Sequence, residues 1–76
     1  MVRAYVLVKT GAARAAAVRD TARGMAGVKA ADMVTGPYDV VLVVEVEDLA
    51  ALAKLVTEQL AAVAGVQDTL TCVAVG

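Results

Sequence analysis

The sequence contains no histidine, serine, asparagine, isoleucine, phenylalanine or tryptophan, and only one cysteine, one proline and two tyrosines. Without histidine or serine, neither a Ser-His-Asp nor a Cys-His arrangement can be assembled. A single cysteine excludes an internal disulfide. One cysteine without histidine also falls short of the four soft ligands that a structural zinc site uses. The seven basic and eight acidic residues are scattered and leave a net charge of −1. There is no basic run and no cluster of basic and aromatic residues, the features that binding to a nucleic-acid backbone requires. No unbroken apolar stretch is longer than Val40–Val44, far short of the ~20 residues that cross a bilayer. No secretory apolar region follows Met1, so a cytoplasmic location is expected, and the free Cys72 suits that reducing compartment.

What remains is an Ala- and Val-rich chain of 76 residues, 61 % apolar. One domain, residues 1–76, is expected. A chain this short buries only roughly 60–65 % of its unfolded surface, which leaves little stability beyond the entropy of ordering. Disulfide and metal being excluded, association with further copies is the expected supplement.

Ala26-Gly27-Val28 recurs as Ala64-Gly65-Val66, 38 residues later and half a chain apart. Each copy follows an Ala-rich, helix-like stretch and precedes an extended one, so the chain reads as strand–helix–Gly–strand, twice. Val2–Thr10 alternates as a strand, with Ala4, Val6 and Val8 on one face and Arg3, Tyr5, Leu7 and Lys9 on the other. Ala12–Arg23 reads as a helix with an apolar stripe at Ala15, Val18, Ala22 and Met25, and Gly24 and Gly27 are its stop signals. Val28–Thr35 is a second strand whose Lys29 and Asp32 suit a sheet edge. Thr35-Gly36-Pro37-Tyr38-Asp39 is a turn. Val40–Glu47 is a central strand, apolar on both faces at first. Asp48 then caps a helix over Leu49–Ala64, with the stripe Leu49, Leu52, Val56, Leu60 and Val63 and an i,i+4 pair Lys54/Glu58 outside it. Gln67–Val75 is the last strand, with Leu70, Cys72 and Ala74 directed to the helices and Thr69, Thr71, Val73 and Val75 to the other face.

The order βαββαβ, with right-handed crossovers, predicts an α+β ferredoxin-like sandwich, an antiparallel sheet in the order 4-1-3-2 with both helices on one face. The bare face then carries Tyr5, Leu7, Val41, Val43, Val73 and Val75. A surface that apolar predicts a two-fold dimer through the sheet, of the dimeric α/β-barrel type. Arg3 is expected to approach Glu45 or Glu47, and Lys9 to approach Asp39. Cys72 reads as a small buried hydrophobe.

Val34-Thr35-Gly36-Pro37-Tyr38-Asp39-Val40, with its spacing from Gly27-Val28, resembles the effector domain of the Lrp/AsnC family, termed RAM for regulation of amino-acid metabolism. Ala4-Tyr5-Val6-Leu7-Val8 and Thr69-Leu70-Thr71-Cys72-Val73 resemble it as well, so the likeness covers essentially the whole chain. It looks like the stand-alone form of that domain, without a helix-turn-helix, and no direct contact with nucleic acid is implied. The resemblance implies sheet-paired dimers assembled into octameric or decameric rings, which modulate transcription regulation or amino-acid metabolism, alone or with full-length relatives. It also implies an amino-acid effector at the seam between dimers, with Gly36, Tyr38 and Asp39 in the binding loop and Thr69 and Thr71 as further candidates from an adjoining sheet edge. No cofactor and no metal enter this reading. Three alternatives share the architecture: an ACT-like regulatory module, a purely structural interaction module, and an enzyme of the dimeric α/β-barrel type.

Overall fold

A computed structural model describes all 76 residues of the chain. β1 (Val2–Thr10) runs through the interior of a four-stranded antiparallel sheet, flanked by β3 (Val40–Val46) and β4 (Val66–Val73); β2 (Val28–Met33) forms the far edge beside β3. The order β2-β3-β1-β4 is the expected 4-1-3-2 arrangement read in reverse. Alternation works as the sequence predicts on the two inner strands. Ala4, Val6 and Val8 of β1 and Val40, Leu42 and Val44 of β3 are fully buried against the helical layer. Arg3, Tyr5, Leu7 and Lys9 point to the bare side, where Tyr5 faces Val43 and Leu7 faces Val41.

α1 (Ala15–Arg23) starts three residues later than propensity alone suggests. Gly11–Arg14 instead form a loop in which Ala13 takes a left-handed φ of 62°. That loop is tied to the far end of the chain, because Gly11 N donates to Gly65 O at 3.0 Å. Val18 and Ala22 of α1 enter the core.

The second helix departs from expectation in its winding. Asp48 caps it as predicted, Oδ1 accepting from Ala51 N at 2.8 Å. The segment is α-helical only over α2 (Leu49–Lys54) and continues as a π-helix over Leu55–Leu60. Ala61 N accordingly donates five residues back, to Val56 O, at 3.0 Å. The wider turn brings Leu55 and Leu60 into the core together with Leu52, a spacing that straight α-winding would splay apart. Leu49, expected on the stripe, is instead 60 % exposed. Lys54 and Glu58 form no ion pair, because their i,i+4 relation is lost where the winding changes.

Both helices end in the same way. Met25–Val28 and Val63–Val66 are turns closed by Val28 N to Met25 O and Val66 N to Val63 O, each 3.2 Å. Their third residues, Gly27 and Gly65, have φ of 94° and 99°, the left-handed conformation that the third position of a type II turn demands. A bulge follows each turn at the equivalent place. Lys29 is the extra residue between Val28 and Ala30 in β2, and Gln67 is the extra residue between Val66 and Asp68 in β4.

The Gln67 bulge overturns the predicted facing of β4. Val66 pairs with Thr10 on the helix side, and strict alternation from it would turn Leu70 and Cys72 toward the helices. The bulge shifts the phase by one residue, and a one-residue slip exchanges the faces. Thr69 therefore pairs with Val8, Thr71 with Val6 and Val73 with Ala4, all on the helix side. Leu70 and Cys72 pair with Leu7 and Tyr5 on the bare side. Cys72 is consequently exposed rather than buried. Thr69, Thr71 and Val73 leave the bare face.

Candidate functional site

β2 and β3 are joined by an exposed turn whose geometry centres on Asp39. Asp39 N donates to Val8 O, and Asp39 O accepts from Val34 N, both at 2.9 Å. Its carboxylate Oδ2 accepts from Thr10 N at 2.9 Å. Asp39 thus fastens the turn to the end of β1 through two bonds to its backbone, at Val8 and Thr10, while the third, from Val34, closes the turn itself. It satisfies the N–H of Thr10, whose residue is buried. The expected approach of Lys9 to Asp39 is not formed: Lys9 faces Asp68 across the β1–β4 ladder. At the other end of β1 the predicted pair is present, Arg3 Nε lying 3.9 Å from Glu45 Oε2. Both side chains are substantially solvated, so that pair adds little stability.

With Oδ2 engaged, Oδ1 of Asp39 takes no bond from the chain. The N–H groups of Thr35, Gly36 and Tyr38 likewise donate to no group of the chain. Gly36 has φ of 148°, and nothing lies within 4 Å of where a side chain would begin, so the backbone there is open to approach. Tyr38 is half-buried, and Pro37, which has no N–H, stiffens the turn between them. One short segment therefore offers donors for a carboxylate and an acceptor for an ammonium.

Of the five site residues expected from the sequence, Gly36, Tyr38 and Asp39 share this turn. Thr69 lies at the same end of the sheet but two strands away, since Val40 pairs with Val8 and Val8 with Thr69, roughly 10 Å at usual strand spacing. Thr71 is a further two residues along β4, opposite Val6. Within one protomer the threonines and the turn do not converge.

The sequence reading missed two features of the site. Thr10 is the anchor for Asp39, and no local signal marks a partner 29 residues distant. Met33, Val34 and Thr35 line an open hollow of about 530 Å³ beside the turn. The signal for it was present as two apolar residues directly before the turn, where an edge strand ordinarily ends in polar ones. A second groove, about 290 Å³, runs along β2 past Lys29 and Ala30. Arg23 lies in it with its guanidinium already committed, Nε donating to Ala31 O at 3.1 Å, with Asp20 and Asp32 at 3.9 and 4.0 Å. Arg23 thereby blocks part of the exposed edge.

Asp20 lies beside Arg19 on α1. The hydrogen bond from Arg19 Nε, 2.9 Å from its Oδ1, holds its carboxyl below the usual range. The pair sits on the outer surface of α1.

Comparison with known proteins assigns the chain. Residues 3–76 match the family described as the Lrp/AsnC ligand binding domain. A protein of Thermus thermophilus, TTHA0845, is 32 % identical with a TM-score of 0.95, over 100 % of this chain and 95 % of that one. E. coli AsnC superposes with a TM-score of 0.92 at 17 % identity, over 99 % of this chain and 51 % of AsnC. The Neisseria meningitidis transcriptional regulator NMB0573, in complex with L-methionine, has a TM-score of 0.86 at 23 % identity, over 99 % of this chain and 50 % of the regulator. At those identities the two regulators show the shared fold, and the chain spans about half of each. No curated protein matches in sequence. The βαββαβ order, the turn at Gly36–Asp39 and the match over residues 3–76 place this chain in the Lrp/AsnC ligand-binding domain family.

Proposed function

We propose that this chain is an amino-acid-sensing and assembly domain that modulates transcription regulation or amino-acid metabolism, with no DNA contact and no catalysis of its own. The observation that carries this reading is the Thr35–Asp39 turn. It presents free N–H groups and a free carboxylate oxygen from a backbone already fastened to β1. An amino-acid zwitterion needs those two complements held at fixed separation, and a preformed turn lowers the ordering cost of binding. The methionine complex of the Neisseria regulator, which has the same fold, supports an amino acid as the ligand class.

The assembly part of the proposal rests on the bare sheet face. Tyr5, Leu7, Val41, Val43, Leu70 and Cys72 form a continuous band there, flanked by Arg3, Lys9, Glu45 and Asp68. Two copies stacked face to face bury this band and give a two-fold dimer. Dimers then join into octameric or decameric rings, with the turn at the seam, where Thr69 and Thr71 of an adjoining copy complete the site. Full-length Lrp/AsnC relatives can enter the same ring through the same surfaces.

The test is light-scattering mass together with melting temperature, measured alone and with each of the twenty amino acids. A defined oligomer stabilised by a few amino acids supports the proposal. A monomer or plain dimer, indifferent to all twenty, rejects it.

A further inference from the structure

The three methionines differ in what surrounds their sulfur. Met25 packs against the core, and Met1 is 84 % exposed at the start of the chain. Met33, 48 % exposed on β2, is the one whose sulfur meets a donor, Arg19 Nη1 lying 3.2 Å from its Sδ. The guanidinium is held there from α1, because its Nε donates to Asp20 Oδ1 at 2.9 Å. A thioether sulfur has two lone pairs, and Arg19 engages one of them. Met33 also borders the open hollow beside the turn, whose lining does not include Arg19. The sulfur is therefore shielded on one side and open to small solutes on the other.

We propose that Met33 is a modification site, oxidised reversibly by hydrogen peroxide to one preferred sulfoxide epimer that Arg19 selects. The sulfur donates an electron pair to one peroxide oxygen, the O–O bond breaks, and the second oxygen leaves with both protons as water. Sulfur is oxidised by two electrons and peroxide is reduced by two. Attack through the free lone pair puts the new oxygen on the side of the hollow, which fixes the chirality at sulfur. The product carries a strong acceptor in place of an apolar thioether, so the lining of the hollow turns polar. Each epimer has its own reductase, which makes the change reversible. Neither the turn nor an effector takes part in this chemistry.

The test treats the intact protein with dilute hydrogen peroxide and then cleaves it with trypsin, which leaves Met1, Met25 and Met33 on separate peptides. By mass, the Met33 peptide is expected to gain one oxygen while the Met25 peptide stays largely reduced. Portions of the oxidised Met33 peptide are then given to each of the two epimer-specific reductases. Repair is expected to differ between them by about threefold or more, the bias that shielding by one hydrogen bond produces. Arg19→Ala, on the outer surface of α1, is expected to melt with the parent and to yield both epimers about equally. Oxidation of Met33 no faster than that of Met25, equal repair of the parent's sulfoxide by both reductases, or an unchanged bias in Arg19→Ala would overturn the proposal.

Discussion

The two halves of the chain, β1–α1–β2 and β3–α2–β4, use the same device after their helices and obtain different surfaces from it. In each, a turn with a left-handed glycine leads into a valine on the core side, then one bulged residue, Lys29 or Gln67. After the bulge the equivalent bare-side positions diverge. Asp32 in β2 corresponds to Leu70 in β4 at the 38-residue offset, and Leu70 is 47 % exposed. On the bare side the first half therefore presents a carboxylate at its edge, where Arg23 also covers Ala31 O. The second ends in an edge whose apolar residues extend the bare face. Beyond the shared turn and bulge the halves differ in the winding of their helices and in the side chains of their edge strands.

The glycine turns provide the first way to break the equivalence. A Cβ on Gly65 would lie 2.9 Å from Arg14 Cβ, whereas one on Gly27 would meet Val46 Cγ1 at 3.0 Å and Glu45 O at 3.4 Å. Either alanine substitution forces a left-handed L-residue, costing about 1–2 kcal/mol. Overpacking adds about 1–3 kcal/mol where the neighbour cannot move. A Cβ of Arg14 cannot swing away as a valine methyl can. Gly65→Ala is therefore expected to destabilise more than Gly27→Ala in urea titrations. Equal losses would show that the turn conformation alone matters.

The divergent edges provide the second. Leu70→Asp gives the second half the residue of the first, and is expected to dissociate the sheet-paired assembly by placing an unpaired charge in it. Asp32→Leu is expected to leave the mass unchanged. If both variants retain the parent's mass by light scattering, the bare face does not pair copies.

The joint between the halves gives a smaller effect on stability. Asp39→Ala leaves Thr10 N without its partner and is expected to cost about 1–2 kcal/mol. Asp39→Asn keeps an acceptor for Thr10 N and is expected to melt near the parent while losing amino-acid binding. Retained binding by the asparagine variant would make Asp39 a turn anchor only.

The smallest effect concerns the outer faces of the helices. α1 carries the Arg19–Asp20–Arg23 group, whereas Lys54 and Glu58 on the second helix form no pair. The carboxyl of Asp20 is lowered in the folded chain. Its contribution is present above the ordinary carboxylate value and is lost as pH falls through the folded one. Asp20→Asn is expected to flatten the pH dependence of the melting temperature slightly below about pH 4. Asp20 is exposed to solvent, so a large change would contradict this account.

Much of the architecture was legible from local pattern. Period-two alternation in β1 and β3, the Asp48 cap and the repeated Ala-Gly-Val each act within a few residues, so element order and sheet order followed from them. The turn was equally legible, because Gly36-Pro37-Tyr38-Asp39 combines residues that hardly fit elsewhere. The anchoring of Asp39 was not, since Thr10 meets it only after β1 and β3 have paired.

Composition and periodicity alone settle that this is a small α+β domain with few large apolar side chains. They also mark Thr35–Asp39 as the turn between β2 and β3. Three matters were decided by packing: the facing of β4, the winding of the second helix and the exposure of Cys72. Alternation is phase-blind across a bulge, and only the fit of Gln67 between β1 and β4 sets the phase. Helical periodicity likewise assumes α-winding, and only the shared core makes a π-turn, which brings in Leu55 and Leu60 together, the better solution.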